Sequence, residues 1–290
     1  MDDKETLFRR VDTLLDRIEQ LMTATTPEPS WDALAYRWQS RGHQGVLKPV
    51  RHIHHVPLND LLCMERQKRD LVRNTHQFVT GQPANNALLW GARGTGKSTL
   101  IKAVFNTFME NGLRLIEVEK SDLVHMPEII DGIYGRPERF VIYCDDLSFE
   151  ADDPGYKSLK AVLDGSIVAT PDNLLIYATS NRRHLLPEYQ SENLESRLVD
   201  GEIHHGESVE EKISLSDRFG LWLSFHPFNQ KQYLEIVRHW LARMDVTPST
   251  ETDEEALQWA LRRGNRSGRT AWQFARDRAG RMQTTSFDAV

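Results

Sequence analysis

Two cysteines, Cys63 and Cys144, are too few for a disulfide framework. No apolar run approaches the roughly 20 residues a membrane-spanning helix requires. The opening residues, MDDKETLFRR, have no apolar core of the kind a secretory signal carries. These absences lead to the expectation of a cytoplasmic chain without a membrane partner. An excess of basic charge is missing too. The formal net charge is -6, which excludes a surface built for bulk phosphate attraction but leaves room for a local basic channel. Internal repeats and low-complexity tracts are absent. What is present is 290 residues, 27% of them charged, enough for one large domain or two modest ones.

Residues 5–22 place Leu7, Val11, Leu14, Leu15, Ile18, Leu21 and Met22 on one helical stripe, which TATTPEPS ends with two prolines. Further on, RHIHH clusters His52, His54 and His55. The i, i+4 spacing of a helical metal site and an acidic or cysteine partner are both missing, so metal binding is a weak reading there. Residues 61–79 are helical in pattern. Beyond them, apolar strand candidates at 87–90, 113–118, 140–144, 174–178 and 221–225 alternate with helical segments. That alternation predicts an α/β fold with a parallel sheet covered on both faces. Cys144, inside one such run, reads as a small core residue. From Pro227 onward only helical patterns remain. The expected organisation is an N-terminal helical region and linker over 1–56, an α/β domain over 57–226 and a small helical domain over 227–290.

Immediately after the first strand of that series comes GARGTGKST: Gly91, Ala92, Arg93, Gly94, Thr95, Gly96, Lys97, Ser98 and Thr99. It fits GxxxxGK[ST] and stands between a strand and a helix, as its physics requires. The glycines let backbone N–H groups turn around phosphate oxygens, and the helix N-terminus adds its positive end. Lys97 is placed to neutralise β- and γ-phosphates, and Ser98 to ligate magnesium. FVIYCDDLSFE then ends a strand in Asp145 and Asp146. Asp145 fits a magnesium ligand acting through the ion's water shell. Asp146 fits the group that orients or activates the attacking water, with Glu150 as a weaker substitute.

Three further positions carry two readings each. LLIYATSN ends in Thr179, Ser180 and Asn181, which either present a polar group to the γ-phosphate or form a turn. Arg218, just before an apolar strand, either reaches a neighbouring subunit's nucleotide or pairs locally with Asp217. Ser267 reads as an N-cap, which puts Arg269 in the first helical turn, where a cation opposes the helix dipole unless an anion lies nearby. The seven arginines between Leu261 and Arg281, set against one acid, form either a contact surface or a solvated face.

Taken together, GARGTGKS, FVIYCDD, ATSN, Arg218 and SGRTAWQF resemble the Walker A, Walker B, sensor 1, arginine finger and sensor 2 of the AAA+ ATPases, over residues 57–282. PANNALLWGARGTGKST, DDLSFE, PDNLLIYATSNRRHL and DRFGLWLSF are similar to a bacterial family of AAA+ ATPases catalogued as a domain of unknown function. The resemblance implies a P-loop NTPase αβα sandwich followed by a helical lid, with ATP and Mg2+ bound between them. It also implies a homo-oligomeric ring, often a hexamer, with sites at subunit boundaries. Lys97, Asp146, Asn181 and Arg218 are then the catalytic set, residues 91–99 and Arg269 hold the nucleotide, and Ser98 and Asp145 hold the metal. The implied activity is ATP hydrolysis that remodels an unidentified protein or nucleic acid. The alternatives are a non-hydrolysing ATP-dependent switch or scaffold, and an ATPase resembling helicase loaders. Two departures stand out. The second Walker B acid is Asp146 where many AAA+ motors have Glu, a pairing shared with replication initiators and helicase loaders. Ile133, Tyr134 and Gly135 occur in the wrong order for a threading pore loop, and Tyr134 is as readily a packed residue.

Overall fold

The computed structural model describes residues 30–41, 44–149, 153–165, 171–183, 185, 197–199, 202–204 and 215–283. The amphipathic segment 5–22 and Glu150 lie outside the described residues. The central sheet contains β1 (Ala35–Arg41), β2 (Gln44–Pro49), β3 (Ala87–Gly91), β4 (Leu113–Glu117), β5 (Arg139–Cys144), β6 (Leu174–Ser180) and a strand near the lid, β9 (Leu221–Phe225). Its order is β2-β1-β4-β5-β6-β3-β9. All neighbours pair in parallel except β1 with β2. A separate two-stranded ladder joins β7 (Arg197–Val199) to β8 (Glu202–His204). The helices are α1 (Glu65–Val79), α2 (Lys97–Phe108), α3 (Met126–Ile133), α4 (Pro154–Asp164) and, in the lid, α5 (Gln230–Arg243), α6 (Thr250–Arg262) and α7 (Gly268–Gln283).

The near-continuous apolar runs of β5 and β6 follow from burial on both faces. Side chains alternate between faces along a strand. Val141 and Tyr143 therefore join one apolar cluster with α2 and the lid, while Phe140, Ile142 and Cys144 join the other with α3 and α4. The first cluster runs without a break from Leu89 and Val104 to Tyr233, Ile236 and Phe274, so the lid packs on the same core as the sheet.

The pattern predicts a linker through residue 56, but Ala35–Arg41 and Gln44–Pro49 are two strands of the central sheet. Tyr36 sits opposite Ile116 of β4, and Trp38 opposite Leu47. Tyr36 and Trp38 are buried on the α3 side. Arg37 and Gln39 alternate with them, which is a strand period that the polar content masks. Gly45 faces Trp38 so closely that an added Cβ would lie 1.9 Å from an indole carbon. Tyr134, expected as readily packed as free, follows α3 and is 60% exposed.

The lid helices begin on their own caps. Asn229 and Gln232 form a reciprocal capping box before α5, and Ser249 and Thr252 do the same before α6. A polar clamp adds to the apolar contact between lid and body. Asp60, only 8% exposed, accepts from Arg243 at 3.1 Å, and its other oxygen lies 3.0 Å from His239 Nε2.

Candidate functional site

Between β3 and α2 the chain turns through Gly91 (φ +130°), Gly94 (φ +75°) and Gly96 (φ +97°). These conformations strain any residue with a Cβ, and space is also short. A Cβ on Gly91 would stand 2.0 Å from the Phe225 carbonyl oxygen, and one on Gly94 2.8 Å from Ser267 Oγ. Gly91→Ala is therefore expected to push β9 away from β3 and cost about 3 kcal/mol or more. A chemical-denaturation midpoint indistinguishable from that of the unmodified chain would contradict this.

The helix after the loop carries no acid in its first turn, so no side chain there offsets its positive end. Lys97 is 7% exposed. Its Nζ donates to the Gly91 carbonyl at 2.7 Å, the Ala92 carbonyl at 2.8 Å and Asn181 Oδ1 at 3.0 Å. Burial lowers its pKa, against the pull of Asp146 and then Asp145 in the other direction. This is a cation held in a poorly solvated place, with two carboxylates for company.

Those carboxylates come from the end of β5. Asp145 Oδ1 accepts from Ser98 Oγ and from Thr179 Oγ1, both at 2.6 Å. Burial raises the Asp145 pKa, but the Ser98 and Thr179 donors outweigh it and leave the carboxyl below its ordinary range. Asp146 leaves the strand with φ +51°, a left-handed conformation that Asp tolerates better than most residues. Its backbone N–H donates to Thr179 Oγ1 at 2.9 Å, and its carboxylate accepts from Asn181 Nδ2. Thr179 thus locks both acids to β6. Ser180, the middle residue of that triplet, is buried, with its hydroxyl donated to the Leu147 carbonyl.

A cleft of about 870 Å³ is lined by residues 93–99, Asp145, Asp146, Thr179, Asn181 and Arg269. Gly91 and Ala92 lie just behind it, offering carbonyls to Lys97. Ser267 caps α7, receiving the Thr270 N–H at 3.1 Å, and the Gly268 N–H donates to the Gly94 carbonyl at 2.9 Å. The lid helix is thereby bonded to the glycine loop itself, with Arg269 on the cleft.

Arg218 is not at this cleft. Its guanidinium donates to Asp164 at the end of α4, an ion pair that raises its pKa, with the Asp217 charge contributing further. Much of the remaining lining has no motif to announce it: Val56, Pro57, Leu61 and Leu62 from the segment before α1, and Ile236, Trp240 and Trp272 from the lid; His54 and His55 line it as well. Trp272 had one sequence signal, its i+3 spacing from Arg269, which places both on one helical face. The histidines of RHIHH reach the site only as part of this lining, and His52 is exposed.

A strand, glycine loop and helix on a mostly parallel sheet, with two acids just past the end of β5, one strand removed from β3, and a helical lid over the loop, define the P-loop AAA+ α/β fold. The structure is similar to the Holliday junction branch migration motor RuvB of Thermotoga maritima, with a TM-score of 0.51 and 18% identity over 79% of this chain and 66% of that one. It is also similar to the Orc1 protein of Aeropyrum pernix in complex with DNA, with a TM-score of 0.53 and 16% identity over 78% of this chain and 62% of that one. The chain thus spans less than two thirds of either. None of the curated proteins compared matches it. Residues 31–282 match the family described as "Protein of unknown function (DUF815)". The chain belongs to that family, and its fold is the one seen in these two structures.

Proposed function

We propose that the chain binds Mg-ATP in this cleft and hydrolyses it, and that the cycle acts through assembly of several copies on a macromolecular partner. The observation that carries this reading is the convergence of Lys97, Ser98, Asp145, Asp146 and Asn181, from three separate elements, on one cleft beside the glycine loop. The loop N–H groups and Lys97 bind the β- and γ-phosphates. Arg269 meets them from the lid. The apolar walls from Val56 to Leu62 and at Trp240 take the base.

The donors fit a magnesium ion. Ser98 Oγ and the Asp145 carboxylate are hard oxygen ligands, few in number, as this ion prefers. When bound, magnesium neutralises charge on the β- and γ-phosphates. Asp146 orients the attacking water and accepts its proton, while Asn181, bonded to both Asp146 and Lys97, fixes the distance between base and phosphate. Arg218, paired with Asp164 and away from its own chain's cleft, serves the nucleotide of a neighbouring copy.

Turnover per chain measured against protein concentration tests this reading. It is expected to rise cooperatively, and Arg218→Ala is expected to remove that rise, reducing saturated turnover by on the order of 10³-fold. Turnover independent of concentration, unchanged in Arg218→Ala, would contradict action in trans.

A second reading has its own support. Arg262, Arg263, Arg266, Arg269 and Arg276 are exposed from the end of α6 through the connection into α7, and Arg276 stacks on the partly exposed Trp272 with 4.7 Å between guanidinium and ring. Cations interleaved with an aromatic suit a single-stranded nucleic acid. Filter binding of single-stranded DNA across a salt series, with ATP present, separates the cases: salt-sensitive retention supports this partner, and no retention at low salt removes it.

A further inference from the structure

Tyr143 carries the site one group beyond its motifs. Residues two apart on a strand share a face, so Tyr143 lies on the side of β5 that presents Asp145. Across from it, Ser98 and Lys102 stand four apart on α2 and face the strand together. Lys102 Nζ is 6.0 Å from the centre of the Tyr143 ring, and Ser98 and Asp145 flank the hydroxyl. The side chain is 1% exposed. Even so, neither Ser98 nor Asp145, though close enough to act on the Tyr143 hydroxyl, meets it in good hydrogen-bond geometry, and no other described residue does.

A buried hydroxyl without a well-formed hydrogen bond destabilises the fold, and phenylalanine would fill the same space without that penalty. The phenol needs some partner to offset its presence. A phenol can donate one hydrogen bond and accept others. Magnesium keeps several waters when it binds protein, and each of those waters needs hydrogen-bond partners.

We propose that Tyr143 is a positioning residue for the divalent cation, its hydroxyl anchoring a water of the ion's shell beside Ser98 and Asp145. This rests on the Mg-nucleotide reading of the cleft. Groups that hold a metal's ligands in place typically change its affinity by tenfold or more when removed, roughly 10- to 100-fold.

The test compares the full chain with Tyr143→Phe by calorimetric titration of ATP over a magnesium series and in EDTA, together with thermal melts without metal. The magnesium concentration giving half-maximal enhancement of ATP binding is expected to rise about tenfold in the variant. Binding in EDTA is expected to be unchanged, and the metal-free melting midpoint to be equal to or above that of the unmodified chain. An unchanged magnesium midpoint would overturn the inference while leaving the reading of the cleft intact. A lower metal-free midpoint would also overturn it, since the hydroxyl would then be serving the fold. Should the unmodified chain bind ATP with no magnesium dependence, the Mg-nucleotide reading itself fails and the inference falls with it.

Discussion

Lys97→Ala is expected to weaken Mg-ATP binding by at least about 100-fold, the equivalent of losing about 3 kcal/mol from charge-assisted hydrogen bonds to phosphate. The size of the effect follows from the setting. The ammonium is nearly buried, so its attraction for phosphate is screened much less than that of a surface lysine. It is also the shared donor to two loop carbonyls and Asn181. Removing it deprives the loop of its brace as well as its charge. Thermal melts must accompany the titration, because those carbonyls lose a donor and the chain is expected to lose some stability. Calorimetry on a variant that still melts cooperatively decides the matter. An affinity within threefold of the unmodified chain would show that phosphate does not sit at Lys97.

Asp146→Asn separates binding from chemistry. Asparagine is nearly isosteric and accepts the left-handed conformation at φ +51° as readily as aspartate does. The backbone bond to Thr179 is therefore retained, and its side-chain oxygen can still accept from Asn181. What is lost is the negative charge and the ability to take a proton. Mg-ATP affinity is expected to stay within a few-fold, while phosphate release falls by about 10²- to 10⁴-fold, the range ascribed to a positioned general base. Equal turnover in the two proteins would remove Asp146 from the chemistry. With nucleotide bound and no turnover in either, the chain would be a switch whose output is assembly.

Much of this site was legible in the sequence because its chemistry is local. A glycine loop must follow a strand and open a helix, so nine consecutive residues announce the turn and its place between β3 and α2. The paired acids at a strand end carry similar information. Local pattern reaches its limit where a group's role depends on a distant partner. Ser267 could be read as a cap from its own neighbours, but its contact with Gly94 is set by lid packing across more than 170 residues of chain. Arg218 could be read as pairing with Asp217 or reaching another subunit; Asp164 as its partner depends on where α4 ends.

The strands at 35–41 and 44–49 were hidden for a different reason. Arg37, Gln39 and Lys48 give a polar average that obscures the alternation of Tyr36 and Trp38, and β1 reaches the sheet by pairing with residues 80 positions later. The apolar lining from Val56 to Leu62 is similarly silent, since it becomes part of the cleft only where the chain folds beside the glycine loop and the lid.

The claim beneath all of this is that the glycine loop, Lys97, Ser98 and the two aspartates meet around one magnesium-bound triphosphate. A crystal structure of the chain grown with magnesium and a non-hydrolysable ATP analogue tests it most directly. The account predicts the γ-phosphate between Lys97 and Asp146, with the metal beside Ser98 and Asp145. Nucleotide density elsewhere on the molecule, with Ser98 still donating to Asp145 and no metal near them, would contradict it.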